Sequence, residues 1–326
     1  MKETILRLLK ERRPEYVSGE EICRSLNVSR TAVWKHIQAL REKGYEIEAR
    51  SRAGYNLAGI PDRLFPEEIG DGLATRFLGR TVYYCDSVSS TNNLAKELAS
   101  QGAAEGSLVV AEEQTGGKGR LGRQWCSPKH KGIFFTFILY PPLMPPEANM
   151  VTLITAVALA SAIRDETGVA AGIKWPNDLL VNGKKICGIL TELSAEMERI
   201  NYMVVGVGIN VNQEENDFPE EVRASATSLK AQTGLSISRV KMVQAFLLEF
   251  EKWYTAALEN GFAPVLAKWK ELSVSLHCPV RIHTPNSSWD GWAEDIDTDG
   301  ALLIRLPGGE IKRVISGEVS LRMIEK

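Results

Sequence analysis

Ten consecutive residues, GGKGRLGRQW at positions 116–125, combine four glycines, three cations and one tryptophan. Glycines let backbone amides approach a ligand closely, while Lys118, Arg120 and Arg123 supply positive charge. Such a loop suits an anion, most simply a phosphate or an acyl phosphate, and Trp125 adds a flat apolar face. A flexible surface hairpin with incidental charge is the competing interpretation.

This loop matches two nucleotide-binding motifs only formally. Residues 117–122 fit G-x-G-x-x-G, but a Rossmann turn opens directly into a helix, and here QWCSPKHKG follows with a proline and no helical period. A Walker A loop carries Lys-Ser/Thr after its last glycine, where this chain has Arg123-Gln124. We therefore predict a glycine-rich loop between two strands.

Polar residues in two further segments indicate the same kind of ligand. Residues 174–178, KWPND, are predicted to lie in a loop between a helix and a strand, with an Asn-Asp pair that could serve Mg²⁺ on a nucleotide. An Asn-Asp turn is also common by itself. Residues 184–188, KKICG, place a lysine at the start of a predicted strand, where its charge could face the ligand site that the strand lines. The alternative is an ordinary lysine on an edge strand.

Two more segments bring small groups toward a ligand. The hydroxyls of residues 89–92, SSTN, are predicted to cap a helix and could also serve a ligand, although plain capping fits the spacing as well. Residues 206–210, GVGIN, form a predicted strand with two glycines. The missing side chains permit close approach of a flat ligand.

The elements that must position these segments follow from the periodicity of the apolar residues. Alternating or continuous apolar runs predict strands, and a 3.6-residue period predicts helices. The resulting elements are strands at 107–114, 132–140, 189–193 and 201–211, and helices at 151–166 and 240–258. This mixture predicts an α/β or α+β domain of catalytic size.

The first 60 residues form a separate pattern. Three short amphipathic helices are predicted, the second capped by Ser18 and the third by Ser29, and an alternating hairpin follows around residues 51–54. This stretch holds 12 Lys and Arg against 8 Asp and Glu, which leaves 27 against 33 in the remainder. Three helices and a hairpin on a basic segment predict a winged helix-turn-helix.

In this N-terminal segment, the basic head of the chain, the third helix is predicted to bind DNA together with the hairpin. Major-groove or phosphate contacts are assigned to Ser29, Arg30, Thr31, Trp34, Lys35, Arg50 and Arg52. A helical protein–protein module with a solvated charged face is the alternative.

Composition limits the class of protein. Hydrophobic and charged contents of 44% and 25% are ordinary for a soluble globular chain. Five scattered cysteines without a C-x-x-C pair indicate reduced thiols in the cytoplasm rather than disulfides or zinc. The charged N-terminus is no signal peptide, and no apolar run approaches the length that spans a bilayer, so we predict no membrane association.

Residues 276–326 have the pattern of a small β-domain. Apolar side chains alternate between turn signals there, which predicts a small β-barrel. The predicted domains are therefore 1–63, 64–275 and 276–326.

Five segments, in this order and spacing, resemble those of biotin–protein ligases: SSTN (89–92), EEQTGGKGRLGRQW (112–125), KWPND (174–178), KKICGIL (184–190) and GVGIN (206–210). The likeness covers nearly the whole chain, and the basic head resembles that of the bifunctional members, which also repress biotin operons. The fold that this implies is α+β. It has an N-terminal winged helix-turn-helix, a central α/β catalytic domain of the biotin/lipoate ligase type, and a small C-terminal SH3-like β-barrel.

The resemblance implies a two-step reaction with ATP, biotin and Mg²⁺. Biotin and ATP would give biotinyl-5′-adenylate and pyrophosphate. A lysine on the biotin carboxyl carrier domain of a biotin-dependent carboxylase would then take the biotin and release AMP. The resemblance also implies operator DNA as a partner, the adenylate as corepressor, and a homodimer in the adenylate-bound state.

The resemblance further implies roles by position, with Arg120 and Lys185 as catalytic residues. The residues for biotin would be Ser90, Thr91, Gln114, Gly117, Lys118, Gly119, Arg120, Lys185 and Gly188. The residues for ATP or the adenylate would be Arg123, Trp125, Asn177, Asp178, Asn210 and Arg322. Asp178 would also serve the metal.

Two other functions fit parts of the pattern. A lipoate-type protein ligase shares the catalytic fold, but the glycine-rich loop fits biotin ligases better. A non-catalytic biotin-sensing repressor would not need Lys185 or KWPND. Two positions depart from the family: Lys118 stands where many relatives have Arg, which removes a bidentate fork, and Leu121 stands where some have another cation.

Overall fold

The chain divides into two compact units, Met1–Arg63 and Leu64–Lys326, in a computed structural model that describes residues 1–284, 287–315 and 318–321. Buried apolar side chains occur in both units, so each has a core of its own. Arg322, predicted above to reach the nucleotide, lies outside the described residues.

Three helices and a hairpin make up the first unit. Its elements are α1 (Lys2–Arg12), α2 (Gly19–Leu26), α3 (Arg30–Glu42), β1 (Glu46–Arg50) and β2 (Gly54–Gly59). The hydroxyls of Ser18 and Ser29 each accept a hydrogen bond from the amide three residues on, at 3.0 and 3.2 Å, and so start α2 and α3. The fully buried side chains of this unit include Ile5, Ile22, Ile37 and Leu57. The predicted winged helix-turn-helix is confirmed.

A seven-stranded mixed sheet forms the centre of the second unit. Its strands are β3 (Val82–Cys85), β4 (Leu108–Ala111), β5 (Ile133–Leu139), β6 (Gly172–Lys174), β7 (Asp178–Val181), β8 (Lys184–Ala195) and β9 (Ile200–Ile209). The spatial order is β3-β4-β5-β9-β8-β7-β6, with β3 and β4 parallel and the other neighbours antiparallel. The four predicted strands correspond to β4, β5, β8 and β9.

Helices cover both faces of this sheet, with α5 on one face and α6 and α9 on the other. The helices of the second unit are α4 (Pro66–Ile69), α5 (Thr91–Ser100), α6 (Ala148–Thr167), α7 (Glu220–Arg223), α8 (Leu229–Thr233), α9 (Arg239–Asn260) and α10 (Ala263–Leu272). Alternate strand residues face opposite ways, so Val109, Ile138 and Val204 pack with α5, while their chain neighbours pack with α6 and α9. The predicted helices 151–166 and 240–258 are confirmed as α6 and α9.

Helix α6 is apolar around most of its circumference. By length and composition alone, the span Pro145–Thr167 could cross a membrane, which corrects the prediction that no segment reaches that length. However, 78% of its most apolar 18-residue window is buried inside the protein. The helix therefore has the character of a central core helix between the sheet and α9.

A second, antiparallel sheet follows α10. Its strands are β10 (Cys278–Thr284), β11 (Ser287–Ile296), β12 (Leu302–Arg305), β13 (Ile311–Val314) and β14 (Glu318–Leu321). The spatial order is β13-β12-β11-β10-β14, and the described residues of β13 and β14 do not pair with each other. The predicted small C-terminal β-domain is therefore confirmed, although its described strands do not close into a full barrel, since the edge strands β13 and β14 hold only four residues each.

A buried ion pair joins the central sheet to α9. Glu112 and Arg239 are both fully buried, and Nη1 of Arg239 lies 2.8 Å from Oε2 of Glu112. The same carboxylate accepts a hydrogen bond from the Leu64 amide at 2.9 Å and lies 3.0 Å from Nδ1 of His130. Burial opposes ionisation of Glu112, but these partners outweigh it and hold the pKa of the carboxyl below its ordinary value.

Replacing Glu112 by Gln should lower the free energy of unfolding of the second unit by about 3–5 kcal/mol at pH 7, because Arg239 is left charged and buried without an anion. A folded-state pKa below the ordinary value contributes stability above about pH 4.3 that is lost as the pH falls through the folded pKa. The difference in the free energy of unfolding between the parent and the Glu112 variant should therefore become smaller in acid. Urea unfolding followed by near-ultraviolet circular dichroism measures both effects.

The matched control is Glu271→Gln, which removes an exposed pair with Lys268 on α10. This change should cost less than about 1 kcal/mol. Equal losses in the two variants would show that the buried pair contributes no more than a surface pair.

Candidate active site and nucleic-acid interface

One cavity of about 410 Å³ lies in the second unit and is floored by strand β9. Gly206, Gly208 and Asn210 alternate along this floor. A Cβ added to Gly206 would collide with Asn92, and one added to Gly208 would collide with the Trp125 indole. The cavity therefore runs along β9, from a first end at Asn92 to a second end at Asn210.

Buried hydroxyl and amide groups line the first end. Oε1 of Gln114 accepts hydrogen bonds from the amide and the hydroxyl of Thr91, at 2.9 and 3.0 Å. Nε2 of Gln114 donates to the Ser127 hydroxyl at 3.2 Å. Ser90 precedes α5 but makes no side-chain cap bond and is 2% exposed, so plain capping does not account for it. This end of the cavity can hold a small polar ring.

The indole of Trp125 lies across two glycines at the middle of the cavity. Gly188 on β8 and Gly208 on β9 are register partners, and a Cβ on them would approach the ring to 3.0 and 2.4 Å, respectively. Glycine at both positions therefore makes room for the ring. In the described part of the chain, Nε1 of Trp125 is buried without an acceptor, so the middle of the cavity offers a donor to a ligand oxygen.

The glycine-rich loop joins β4 to β5, which confirms its predicted place. Nη1 of Arg120 donates to Oδ1 of Asn177 at 2.9 Å. Nζ of Lys118 donates to Oδ1 of Asn93, on α5, at 2.9 Å. Leu121 at the tip is 74% exposed and has a φ of 56°, a left-handed conformation uncommon for residues other than glycine. The loop thus places cations against two different walls of the cavity.

Residues 175–177 form the turn of the β6–β7 hairpin, and Lys174 and Asp178 are the paired strand residues beside it, which corrects the prediction of a loop between a helix and a strand. The three-residue strand β6 is too short to give a sequence signal. Nζ of Lys185 lies 2.6 Å from Oδ1 of Asp178 and 5.3 Å from the ring centroid of Trp125. Nδ2 of Asn177 donates to a carbonyl of β8 at 2.7 Å. A carboxylate, an ammonium group and an amide therefore meet beside the indole.

Three residues near the first end, Asn92, Lys96 and Glu192, were not predicted as site residues. Nδ2 of Asn92 and Nζ of Lys96 donate to the carboxylate of Glu192 at 2.9 and 2.8 Å. Burial opposes ionisation of Glu192, but the hydrogen bonds from Lys96 and Asn92 outweigh it and lower the pKa of this carboxyl. Asn92 belongs to the SSTN segment, which was the available signal, whereas no motif marked Glu192.

Most residues predicted to bind ligands line this cavity. They are Ser90, Thr91, Gln114, Lys118, Gly119, Arg120, Arg123, Trp125, Asn177, Asp178, Lys185, Gly188 and Asn210. Gly117 is not among the lining residues, but a Cβ there would lie 2.5 Å from the Trp125 carbonyl oxygen, so it serves the backbone of the loop. The lining also contains Phe218, Val222 and Ser225, which no sequence motif marks. The ligand contacts themselves stay predictions.

A candidate DNA surface lies on α3 and the hairpin of the first unit. The exposed residues predicted to contact DNA are Ser29, Arg30, Thr31, Trp34, Lys35, Arg50 and Arg52. The guanidinium of Arg50 lies 4.6 Å from the ring centroid of Tyr16, whose hydroxyl donates to Glu48 at 2.5 Å. This stacking restricts the wing arginine before any DNA binds.

Three family models match consecutive parts of the chain. An HTH domain matches residues 2–56, the biotin/lipoate A/B protein ligase family matches 84–210, and the biotin protein ligase C terminal domain matches 279–322. The bifunctional ligase/repressor BirA of Bacillus subtilis (strain 168) is 41% identical over 98% of this chain and 98% of its own. BirA of Escherichia coli (strain K12) is 29% identical over 96% of this chain and 95% of its own.

A solved structure agrees with these matches. The biotin protein ligase from Aquifex aeolicus, in complex with biotin and ATP, aligns with a TM-score of 0.64 at 30% identity and covers 74% of this chain and 99% of that one. The mixed sheet, the cavity over β9 and the winged head all accord with the full-length similarity. The chain therefore belongs to the biotin–protein ligase family, with the bifunctional ligase/repressors.

Proposed function

We propose that this chain joins biotin to a protein lysine, using ATP, and represses transcription through its first unit. Biotinyl-5′-adenylate is both the intermediate and the corepressor. The observation that carries the proposal is the meeting of Arg120, Lys185 and Asp178 around one cavity with a glycine floor. Similarity to bifunctional proteins over the full length supports the pairing of the two activities. We place the protein in the cytoplasm, where its free cysteines stay reduced.

Biotin is assigned to the first end of the cavity. Its ureido ring has two N–H donors and one carbonyl acceptor, which complement the buried hydroxyls of Ser90 and Thr91 and the half-buried amide of Gln114. The remaining biotin contacts are assigned to Gly117, Lys118, Gly119 and Gly188. Nucleotide contacts at the second end are assigned to Arg123, Asn177 and Asn210. Trp125 stands between the two ends and can pack beside either part of the adenylate.

In the first step, a biotin carboxylate oxygen attacks the α-phosphorus of ATP, and the bond to the bridging oxygen breaks so that pyrophosphate leaves. Negative charge is spread over the phosphoryl oxygens in the transition state. Arg120 and Lys185 are assigned to stabilise that charge. Asp178 and the Trp125 ring already orient the Lys185 ammonium group, so little reorganisation is required.

In the second step, the ε-ammonium group of a carrier-domain lysine loses a proton, and the resulting neutral amine attacks the acyl carbonyl of the adenylate and gives up a second proton as the amide forms. The acyl–oxygen bond breaks, an amide forms and AMP leaves. Because a mixed anhydride hydrolyses readily, the glycine-rich loop must exclude water until the carrier domain arrives. The bonds of this loop to Asn93 and Asn177 support closure on two sides.

Magnesium is proposed as part of the ATP substrate. Among the described residues, no group of three or more His, Cys, Asp and Glu side chains could hold a metal. The single carboxylate of Asp178 fits an ion that keeps several waters and takes its other ligands from phosphates. When bound, the ion neutralises phosphate charge.

A free strand edge supports the proposed homodimer. Strand β8 pairs with β7 only as far as Gly188, and in the described residues its backbone from Thr191 to Ala195 pairs with β9 alone. Leu193 in this stretch is 43% exposed, and Met197 just beyond it is 98% exposed. Such an edge can pair with the same edge of a second copy of the chain about a two-fold axis. The dimer would then carry two winged helix-turn-helix units, one for each half-site of a palindromic operator.

Biotin-dependent ATP–pyrophosphate exchange, with lipoate as the control substrate, tests the ligase activity. Replacing Arg120 by Gly should preserve the fold but release the adenylate at least about tenfold faster, because a cation facing the phosphate is lost. Retention of labelled adenylate on a filter measures release. Lys268→Ala removes a surface cation on α10 and should release at the parent rate. Unchanged retention in the Arg120 variant would remove this residue from the site, and exchange with lipoate alone would favour the lipoate ligase.

The dimer is tested by replacing Leu193 with Asp. Sedimentation equilibrium should show a parent dimer with biotin and ATP and a variant that remains monomeric, because a charge is placed on the pairing edge. A gel shift with the palindromic operator should weaken in parallel, while exchange persists. Leu235→Asp alters another exposed leucine and should behave as the parent. Parent DNA binding that is equal with and without biotin plus ATP would reject ligand-driven repression.

Replacing Arg50 by Ala should weaken binding to operator DNA and to unrelated DNA to a similar degree, because this arginine of the hairpin is assigned to a phosphate contact. The slope of log affinity against log salt should fall by about 1. Fluorescence anisotropy at several salt concentrations measures the slope. Arg7→Ala, on the exposed face of α1, is the control. Loss of operator binding alone would assign Arg50 to base readout.

A further inference from the structure

The segment 212–229 forms a wall of the cavity with little regular structure of its own. Its side chains at Phe218, Val222 and Ser225 line the cavity, yet it contains only a short 3₁₀ turn and the four-residue helix α7 before α8 begins. Helices this short are not stable by themselves. The position of the wall must therefore come from contacts with other parts of the chain.

One such contact is an ion pair between Lys131 and Asp217. Nζ of Lys131 donates to both carboxylate oxygens of Asp217, at 3.0 and 2.7 Å. The carbonyl of Lys131 also accepts a hydrogen bond from the Asn212 amide at 2.8 Å. Sγ of Cys126 lies 3.5 Å from the Asp217 carbonyl oxygen. Asp217 thus ties segment 212–229 to the stretch that leaves the glycine-rich loop.

Both members of this pair are ionised near neutral pH. The hydrogen bond to Asp217 raises the pKa of Lys131. Burial opposes ionisation of Asp217, but Lys131 and the Glu214 amide outweigh it and lower the pKa of this carboxyl. A neighbouring pair, Lys230–Glu214 at 2.8 Å, adds no net charge. The Lys131–Asp217 bond is therefore charge-assisted and bifurcated across one carboxylate.

The wall held by Asp217 borders the second end of the cavity. Phe218 follows Asp217 directly and is only 6% exposed. Farther along, the amide of Lys185 donates to the Ser225 carbonyl at 2.8 Å, which joins the segment to β8. The segment is therefore fixed to β8 near Ser225 and to Lys131 at Asp217, with Val222 between these points.

We propose that Lys131 and Asp217 are positioning residues that set the nucleotide-binding wall and leave the biotin end unaffected. The proposal rests on the assignment of the second end to ATP in the proposed function. Without the ion pair, Phe218 and Val222 are less restrained and the nucleotide must order them on binding, so ATP affinity falls. Biotin affinity should be unchanged because the residues assigned to its ureido ring, Ser90, Thr91 and Gln114, lie at the first end of the cavity.

The test measures KM for ATP and for biotin in the exchange assay with full-length Asp217→Asn and Lys131→Met. Each variant should raise the KM for ATP about threefold to fivefold, the size expected for a partly exposed ion pair, while the KM for biotin stays within about 1.5-fold. The swapped variant Lys131→Asp with Asp217→Lys should recover most of the ATP affinity. Added salt should raise the parent's KM for ATP more than that of either single variant.

The matched control is Lys129→Met. Lys129 lies two residues before Lys131 on the same stretch and forms an ion pair with Asp86, which this change removes. It should leave both KM values unchanged. Equal changes in the KM for ATP and for biotin, or a folded swapped variant with no recovery, would overturn the proposal. Calorimetric melting identifies variants that are folded, and the swapped and Lys131 variants decide the matter if Asp217→Asn is unstable. Absence of biotin-dependent exchange in the parent would instead refute the proposed function.

Discussion

The buried pair of Glu112 and Arg239 fixes the two stems of the glycine-rich loop, which are the residues after β4 and the residues before β5. Glu112 follows β4 directly, and the same carboxylate contacts His130 on the stretch that leads into β5. Both stems of the loop are therefore held against the first turn of α9 by one ionised group. A buried charge of this kind is stable only with its full set of partners, so the surrounding backbone has little freedom to move. The residues between the stems can then change conformation while their ends stay in place.

Bare backbone is the second constraint on the cavity. The paired glycines of β8 and β9 let the Trp125 indole lie against the sheet, and Gly206 lets Asn92 approach β9 in the same way. A methyl group at these positions would collide with the ring or the amide rather than fill space. The sheet therefore supplies a flat floor, and the polar groups that select a ligand come from the loops and the start of α5.

The periodicity of the sequence was sufficient for the long elements. Helices α6 and α9 and strands β5 and β9 each bury many apolar side chains, so their patterns are strong. Strand β6 has three residues and gave no pattern, which is why residues 174–178 were assigned to the wrong kind of loop. The open edge of the second sheet was also beyond prediction, because barrel closure depends on strand order and not on alternation.

In the cavity, too, features that depend on neighbouring residues could be predicted, whereas features that depend on residues distant in the chain could not. Motif residues such as Lys185 and Asp178 were found because a few neighbouring side chains suffice to define them. Glu192, Phe218 and Asp217 were missed because their partners are distant in the chain: Asp217 and Lys131 are 86 positions apart. Contacts of this separation leave no periodicity in a single sequence.

Helix α6 has a consequence for how the chain is made. It is complete at Thr167, but α9, against which it packs, ends only at Asn260, 93 residues later. At about 5 to 20 residues per second, this interval lasts roughly 5 to 20 s. During that time a ribosome-bound chain presents an uncovered, bilayer-length apolar helix. The apolar surface of α6 that α9 covers in the folded protein is therefore exposed throughout this interval, and pauses in translation between these two helices would lengthen that exposure.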